Sequence, residues 1–186
     1  LNVHCFEVDG VLIDTGAASL LEEFKPFFNT MDVDQVMLTH YHEDHTGGAH
    51  FLQTAYNLPI FMNETRIEEC KHKANYPLYR KLFWGARKPF EARPLENNFT
   101  SRTGRWKVIL TPGHTNDHSS FLNEETGQLF TGDLYVTPKT KVVLREESIP
   151  QIISSLERAI SLDFQEMYCN HAGYIENGKE ALKQKL

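Results

Sequence analysis

Val36-Met37-Leu38-Thr39-His40-Tyr41-His42-Glu43-Asp44-His45 decides how this chain folds and what it holds. A short apolar run, Val33–Thr39, predicts a buried strand. It stops abruptly in a cluster of three histidines and one aspartate within six positions. In extended backbone, residues 40 and 42 project to the same side, so two imidazoles can grip one ion. Asp44 and His45 then turn out on the following loop and can grip a second. Mixed imidazole and carboxylate donors suit zinc, or iron or manganese. A merely solvated loop gives no reason for four metal-capable side chains at this spacing.

Outward from this run, strand and helix signals alternate. Val3–Val8 and Val11–Asp14 read as a hairpin turned at Asp9-Gly10. Ala17–Phe28 has helical apolar spacing, as does Gly47–Asn57, and Leu58–Met62 reads as a further strand. Segment 63–100 is polar and aromatic-rich, with helical pieces at Glu64–Lys73 and Leu78–Trp84. Trp106–Leu110 is a strand, and Phe121–Asn123 with Gln128–Phe130 flank the turn signal Glu124-Glu125-Thr126-Gly127. Ile149–Ser161 is an amphipathic helix with Pro150 in its first turn. Phe164–Cys169 is a last strand and Gly178–Leu186 a last helix. The order predicts sheets covered by helices, a layered α/β protein in one domain, 1–186.

The run His-x-His-x-Asp-His after an apolar strand resembles the metallo-β-lactamase superfamily. Four other stretches agree, in family order. These are Val11-Leu12-Ile13-Asp14-Thr15-Gly16, Thr111-Pro112-Gly113-His114-Thr115, Phe130-Thr131-Gly132-Asp133 and Cys169-Asn170-His171-Ala172-Gly173. Ala172 stands where a glycine is common. The resemblance implies an αββα sandwich and a site of two metal ions, zinc first. By it, His40, His42 and His114 hold the first ion, and Asp44, His45 and His171 the second. Asp133 bridges both. Asp44 is also assigned a catalytic part. The resemblance further implies a hydroxide shared by the metals as nucleophile, with the ions polarising the electrophile.

Other candidates have plainer roles. Asp14 is expected to orient a ligand loop rather than to ligate. His118 is expected to hydrogen-bond structurally, His50 and His72 to lie on the surface or in the core, and His4 to sit in a strand. Cys169 should pack as a small apolar side chain, and Glu43 should be solvated.

The chain has 186 residues and a net charge of −6, which disfavours a general nucleic-acid binder. No apolar run approaches the roughly 20 residues of a membrane helix, so no membrane partner is expected. Cys5, Cys70 and Cys169 are far apart with no CxxC pair, which excludes a thiolate zinc site and points to a reducing, cytoplasmic setting. Charge is uneven: residues 62–107 hold 11 Lys/Arg against 5 Asp/Glu, while the rest holds 8 against 20. Two readings of this segment stand. It is either a mouth that selects an anionic, partly apolar small molecule, or a helical cover with aromatics inside and cations in water.

The fold hosts many chemistries, so three functions remain in view. The first is a binuclear hydrolase of an ester, thioester or lactone. The second is a nuclease or phosphodiesterase with the same ligands, as in ribonuclease Z relatives. The third is a mononuclear iron sulfur dioxygenase. His rather than an acid at position 42 disfavours the flavin-linked di-iron branch. The short stretch after His171 lacks the helical extension of hydroxyacylglutathione hydrolases, which weakens a glutathione thioesterase. The complete ligand set and the negative net charge favour the first function.

Overall fold

The computed structural model describes residues 2–140 and 142–186. They form two compact units, one of residues 5–95 and one of residues 2–4 with 96–186.

In the N-terminal unit, β1 (Phe6–Val8) and β2 (Val11–Ile13) form the expected hairpin, with Val8 opposite Val11. Asp9 and Gly10 take φ of 51° and 81°. Two successive left-handed residues make the tight turn whose twist matches the strands, which is why Asp-Gly sits there. After α1 (Leu21–Phe28), β3 (Gln35–Met37) lies parallel to β2. Then come α2 (Glu43–Thr46), α3 (Ala49–Tyr56), β4 (Ile60–Met62), α4 (Ile67–Cys70), α5 (Leu78–Trp84) and β5 (Arg93–Pro94). The sheet runs β1-β2-β3-β4-β5, parallel from β2 onward. Parallel strands are covered on both faces, so their residues read as continuous apolar runs. Val11, Leu12 and Ile13 are accordingly all fully buried. Leu12, Val36, Leu38, Leu52, Ile60 and Met62 form the core with Phe28 and Phe90.

In the C-terminal unit, β6 (Asn98–Thr100), β7 (Arg105–Leu110), β8 (Ser119–Asn123) and β9 (Gln128–Phe130) precede α6 (Ile149–Ile160). They are followed by β10 (Glu166–Cys169), β11 (Gly173–Ile175) and α7 (Gly178–Lys185). The sheet order is β11-β10-β9-β8-β7-β6, with β9 and β10 parallel and all other pairs antiparallel. An aromatic ladder crosses it: Phe99 stacks on Trp106 at 5.4 Å and Phe130 on Tyr168 at 5.0 Å. A second core joins Leu156 and Ala159 of α6 to Met167, Cys169 and Leu182. Cys169 is thus the small core residue expected of it.

Two expectations need correcting. His4 lies outside any strand. It belongs to the C-terminal unit, where its N–H donates to the Asn170 carbonyl at 2.7 Å. Asp44 and His45 lie on the one-turn helix α2, not on a loop. A helical turn lets the Thr46 N–H reach the His42 carbonyl at 3.0 Å, so these buried groups satisfy one another.

Candidate metal centre

Every candidate ligand follows the carboxyl end of a strand, where the turning backbone can aim side chains out of the sheet. In the N-terminal unit, His40, His42, Asp44 and His45 are at most 6% exposed. Asp14, next after β2, organises them. Its Oδ1 accepts from Thr39 N at 2.7 Å, and its Oδ2 accepts from Thr39 Oγ1 and from His45 Nδ1, both at 2.7 Å. With its hydroxyl proton given to Asp14, Thr39 Oγ1 accepts from His40 Nδ1 at 3.0 Å. Both rings therefore keep their proton on Nδ1 and present Nε2 as the lone-pair nitrogen, the arrangement a metal-ligating histidine needs. His40 Nε2 lies 3.0 Å from His42 Nδ1, and His45 Nε2 lies 3.9 Å from Asp44 Oδ2. Asp14 is thus an orienting residue, as expected.

The helix that carries Asp44 and His45 is pressed onto the chain after β2. Thr15 N and Thr15 Oγ1 both donate to the His45 carbonyl, at 2.8 and 2.9 Å. A Cβ at Gly47 would sit 2.1 Å from Ala18 N, so only glycine permits this approach.

In the C-terminal unit, His114, Asp133 and His171 converge. Asp133 Oδ2 lies 3.4 Å from His114 Nε2 and 3.1 Å from His171 Nε2. The far nitrogens are occupied: His114 Nδ1 donates to Glu147 Oε1 at 2.7 Å, and His171 Nδ1 donates to the Asn2 carbonyl at 2.7 Å. Two lone-pair nitrogens aimed at one carboxylate oxygen repel unless a cation lies among them. The residues present therefore fit divalent metal binding. His118 does not join them. Its Nε2 accepts from Asp133 N at 3.0 Å, and its Nδ1 meets Thr111 Oγ1 at 2.8 Å. It fixes the aspartate's backbone, the structural role expected.

Residues 3–171 match the metallo-beta-lactamase superfamily. The chain belongs to this superfamily. The lactamase-like protein adaB of Aspergillus niger is 31% identical over 180 residues, 95% of this chain and 50% of that protein. The atrochrysone carboxyl ACP thioesterase of Aspergillus fumigatus is 29% identical over 186 residues, 95% of this chain and 51% of that protein. The chain thus spans about half the length of these curated relatives. A protein solved in a di-iron-bound form is 26% identical, with a TM-score of 0.73, over 97% of this chain and 96% of that one. The fold class is the α/β sandwich type of this superfamily, as the sequence predicts. The superfamily consists mostly of hydrolytic metalloenzymes that bind metal ions through such His/Asp sets. Among the described residues, no helix is long and apolar enough to cross a membrane.

Against that family pattern, the segment 62–107 needs revision. The boundary between the units falls inside it, after Leu95. Arg87 is 4% exposed and donates to the Cys70 carbonyl at 3.0 Å, so it serves the backbone rather than a ligand. Trp106 and Phe90 are core. Arg80 grips Glu43 with two nitrogens, one at 2.9 Å. Glu43 is therefore not solvated but 2% exposed, its charge matched by Arg80. That pair ties α5 to α2, beside Asp44. Its partners lie 37 residues apart in sequence, so no local spacing announces it. Leu78, Tyr79, Leu82 and Phe83 form the exposed face of α5. His50 Nδ1 donates to the Pro89 carbonyl at 2.6 Å and His72 is exposed beside Glu68, neither with a ligand's surroundings.

Replacing Arg80 by Met leaves the buried Glu43 carboxylate without its counter-charge. A charge-assisted pair of this kind contributes about 2 kcal/mol. Urea denaturation of the variant should show that loss. A second change, Glu43→Gln, should restore part of it by removing the stranded charge.

Proposed function

We propose that this chain is a binuclear metallohydrolase acting on an ester, thioester or lactone. The reading rests on one observation above others, the convergence of His114 and His171 on a single oxygen of Asp133. A carboxylate flanked by two imidazoles has the form of a bridge between two cations. Family membership supports reading both donor sets as metal ligands. His40, His42 and His114 then hold one ion, Asp44, His45 and His171 the other, and Asp133 both. Asp44 acts in catalysis through its place on the second ion. The name of the Aspergillus fumigatus relative favours a thioester among the three substrate classes. Zinc is the first choice of metal, and Cys5, Cys70 and Cys169, none of them in a disulfide, fit a cytoplasmic setting.

When bound, such ions supply Lewis acidity and acidify water near neutral pH. The chain's own part is orientation. Asp14, through Thr39, holds His40 and His45 in one tautomer. Asp133 is held by its backbone through His118. The carboxylates of Asp44 and Asp133 would offset the positive charge of the ions, and Asp44 can take up a proton.

The test is elemental analysis of metal-replete protein with a turnover panel of thioesters, lactones and bis-p-nitrophenyl phosphate. Two zinc ions per chain, thioester or lactone turnover, loss of activity with a chelator and its return with zinc are expected. Turnover of the phosphodiester alone would transfer the reading to a nuclease. One firm ion per chain would overturn the binuclear site.

A further inference from the structure

Helix α5 shows to water a face that a helix ordinarily buries. Leu78, Tyr79, Leu82 and Phe83 are 70%, 68%, 78% and 62% exposed. At roughly 100° per residue they fall on one arc of about 140°. Lys81 borders one edge of that arc. Arg80 lies beyond the other edge, turned inward onto Glu43 of α2 at 2.9 Å. The helix is also firmly built in. Gly85, at φ 82°, ends it, and a Cβ there would lie 2.5 Å from Ser19 N. Ser19 Oγ donates to the Phe83 carbonyl at 3.1 Å. Tyr76 ties the chain entering α5 to the chain leaving it. Its hydroxyl donates to the Gly85 carbonyl at 2.7 Å and accepts from Arg87 N at 2.9 Å. The apolar face is therefore a fixed surface and not a frayed end, and fixed apolar patches of several hundred Å² mark contact sites.

The charge around α5 says what it meets. Residues 71–90 hold six Lys/Arg and no Asp/Glu, in a chain of net charge −6. Lys71 is paired with Glu68, Arg80 with Glu43, and Arg87 is buried against the Cys70 carbonyl. Lys73, Lys81 and Lys88 remain to act on a partner. A second copy fits badly, because a two-fold contact through this arc sets Lys81 against Lys81. A stable protein interface takes about 20–30 residues per side, and this arc offers four. A lipid surface asks for less: a short apolar and aromatic arc to sink into the headgroup boundary, with cations nearby for anionic lipids. Those cations act across a Debye length, about 8 Å at physiological salt, so they need only lie near the surface. We propose that α5 is a docking element for an anionic membrane surface. Leu78, Leu82 and Phe83 enter the apolar boundary, Tyr79 sits at headgroup level, and Lys73, Lys81 and Lys88 attract the headgroups. The expectation of no membrane partner rests on the lack of a spanning run, and this contact needs none. Because Arg80 fastens the inner side of α5 to α2, docking holds the helix of Asp44 and His45 one helix away from the lipid. Binding requires neither metal nor turnover, so the inference stands apart from the hydrolase reading.

Co-sedimentation with vesicles tests the proposal. The protein should partition onto vesicles of equal parts phosphatidylcholine and phosphatidylglycerol, and raised salt should release it. Trp84, in ring contact with Phe83 at 4.7 Å, should shift its emission to the blue on binding, while the fully buried Trp106 stays silent. Leu78→Gln with Leu82→Gln should lower partitioning about a hundredfold, at roughly tenfold for each leucine withdrawn. Both leucines are exposed and glutamine is a good helix former, so this double variant should keep the parent's urea midpoint. Lys73→Gln, Lys81→Gln and Lys88→Gln together should also cost about a hundredfold, at roughly fivefold per lysine, and leave binding to pure phosphatidylcholine unchanged. A parent protein that stays in the supernatant with the mixed vesicles overturns the proposal, as does a double variant that binds like the parent. Binding that neither salt nor the lysine variant weakens overturns the role of the cations. A parent that elutes as a dimer, split by the double variant, assigns the face to a second copy and overturns the membrane reading.

Discussion

Asp133→Ala is expected to strip both metal ions of the proposed centre and to abolish the proposed hydrolysis, whereas His171→Ala should remove chiefly one. The aspartate's Oδ2 is shared between His114 and His171, at 3.4 and 3.1 Å, and each belongs to a different ion in the proposed centre. A charged contact of this kind is worth about 1.5–3 kcal/mol. Losing it at two ions weakens each by roughly tenfold to a hundredfold or more, before the mutual repulsion of two dications is counted. Asp133→Asn separates charge from shape. It keeps the backbone bond to His118 but offers a single acceptor oxygen, so it should fall between the parent and Asp133→Ala. Metal-to-protein ratios after dialysis against a weak chelator decide the matter. An Asp133→Ala protein that retains one ion at parent affinity would remove the bridge from the scheme.

Asp14→Ala is expected to be the most destabilising single change that replaces no proposed ligand. The carboxylate is fully buried and accepts three hydrogen bonds, from Thr39 N, Thr39 Oγ1 and His45 Nδ1. Alanine leaves three buried donors without an acceptor, at about 1–3 kcal/mol each, and relaxation brings the total to about 4 kcal/mol. That is a large share of the roughly 5–15 kcal/mol that holds a domain folded. Asp14 also sits at φ 58°, a left-handed position that Asp and Asn tolerate better than Ala. Asp14→Asn should therefore recover the backbone part of the loss but not the bond to His45. Chemical denaturation of metal-free protein measures the stability, so ligand binding does not enter. A loss below about 1 kcal/mol for Asp14→Ala would mean that Thr39 and His45 find other partners.

The strand and helix signals near the motifs were legible because residue chemistry and period agree there. Asp9-Gly10 has the chemistry of its turn, and the apolar run before His40 could only be a buried strand. Strand ends ran longer in the reading than in the protein. Val33 and Asp34 continue the apolar and polar alternation, yet pairing begins only at Gln35. The two-residue β5 and the short β11 carry no periodicity that could reveal them. Among site residues, those gathered in motifs were legible and those acting from afar were not. Glu147 lies 33 residues from His114 in a run of charged residues that resembles any solvated turn. The cations of 62–107 left two readings open for the opposite reason. Composition counts charge but not partners, and Arg80 and Arg87 had theirs already.

His171 is held from behind by the Asn2 carbonyl, across 169 residues of sequence, and Asn170 and His4 exchange two further bonds beside it. In order of synthesis, the backrest of this ligand is made 169 residues before the ligand itself. Everything between must be translated before the imidazole can settle, and contacts of such separation form slowly. Assembly of the centre therefore has a direction in time. The donors of the run at 40–45 are adjacent as soon as they emerge, while an ion held by His171 in the proposed centre would wait for Asn2 and His171 to meet. Whatever precedes Asn2 in a longer polypeptide begins one residue from a ligand's support, so a fusion joined there reaches the metal before it reaches the fold.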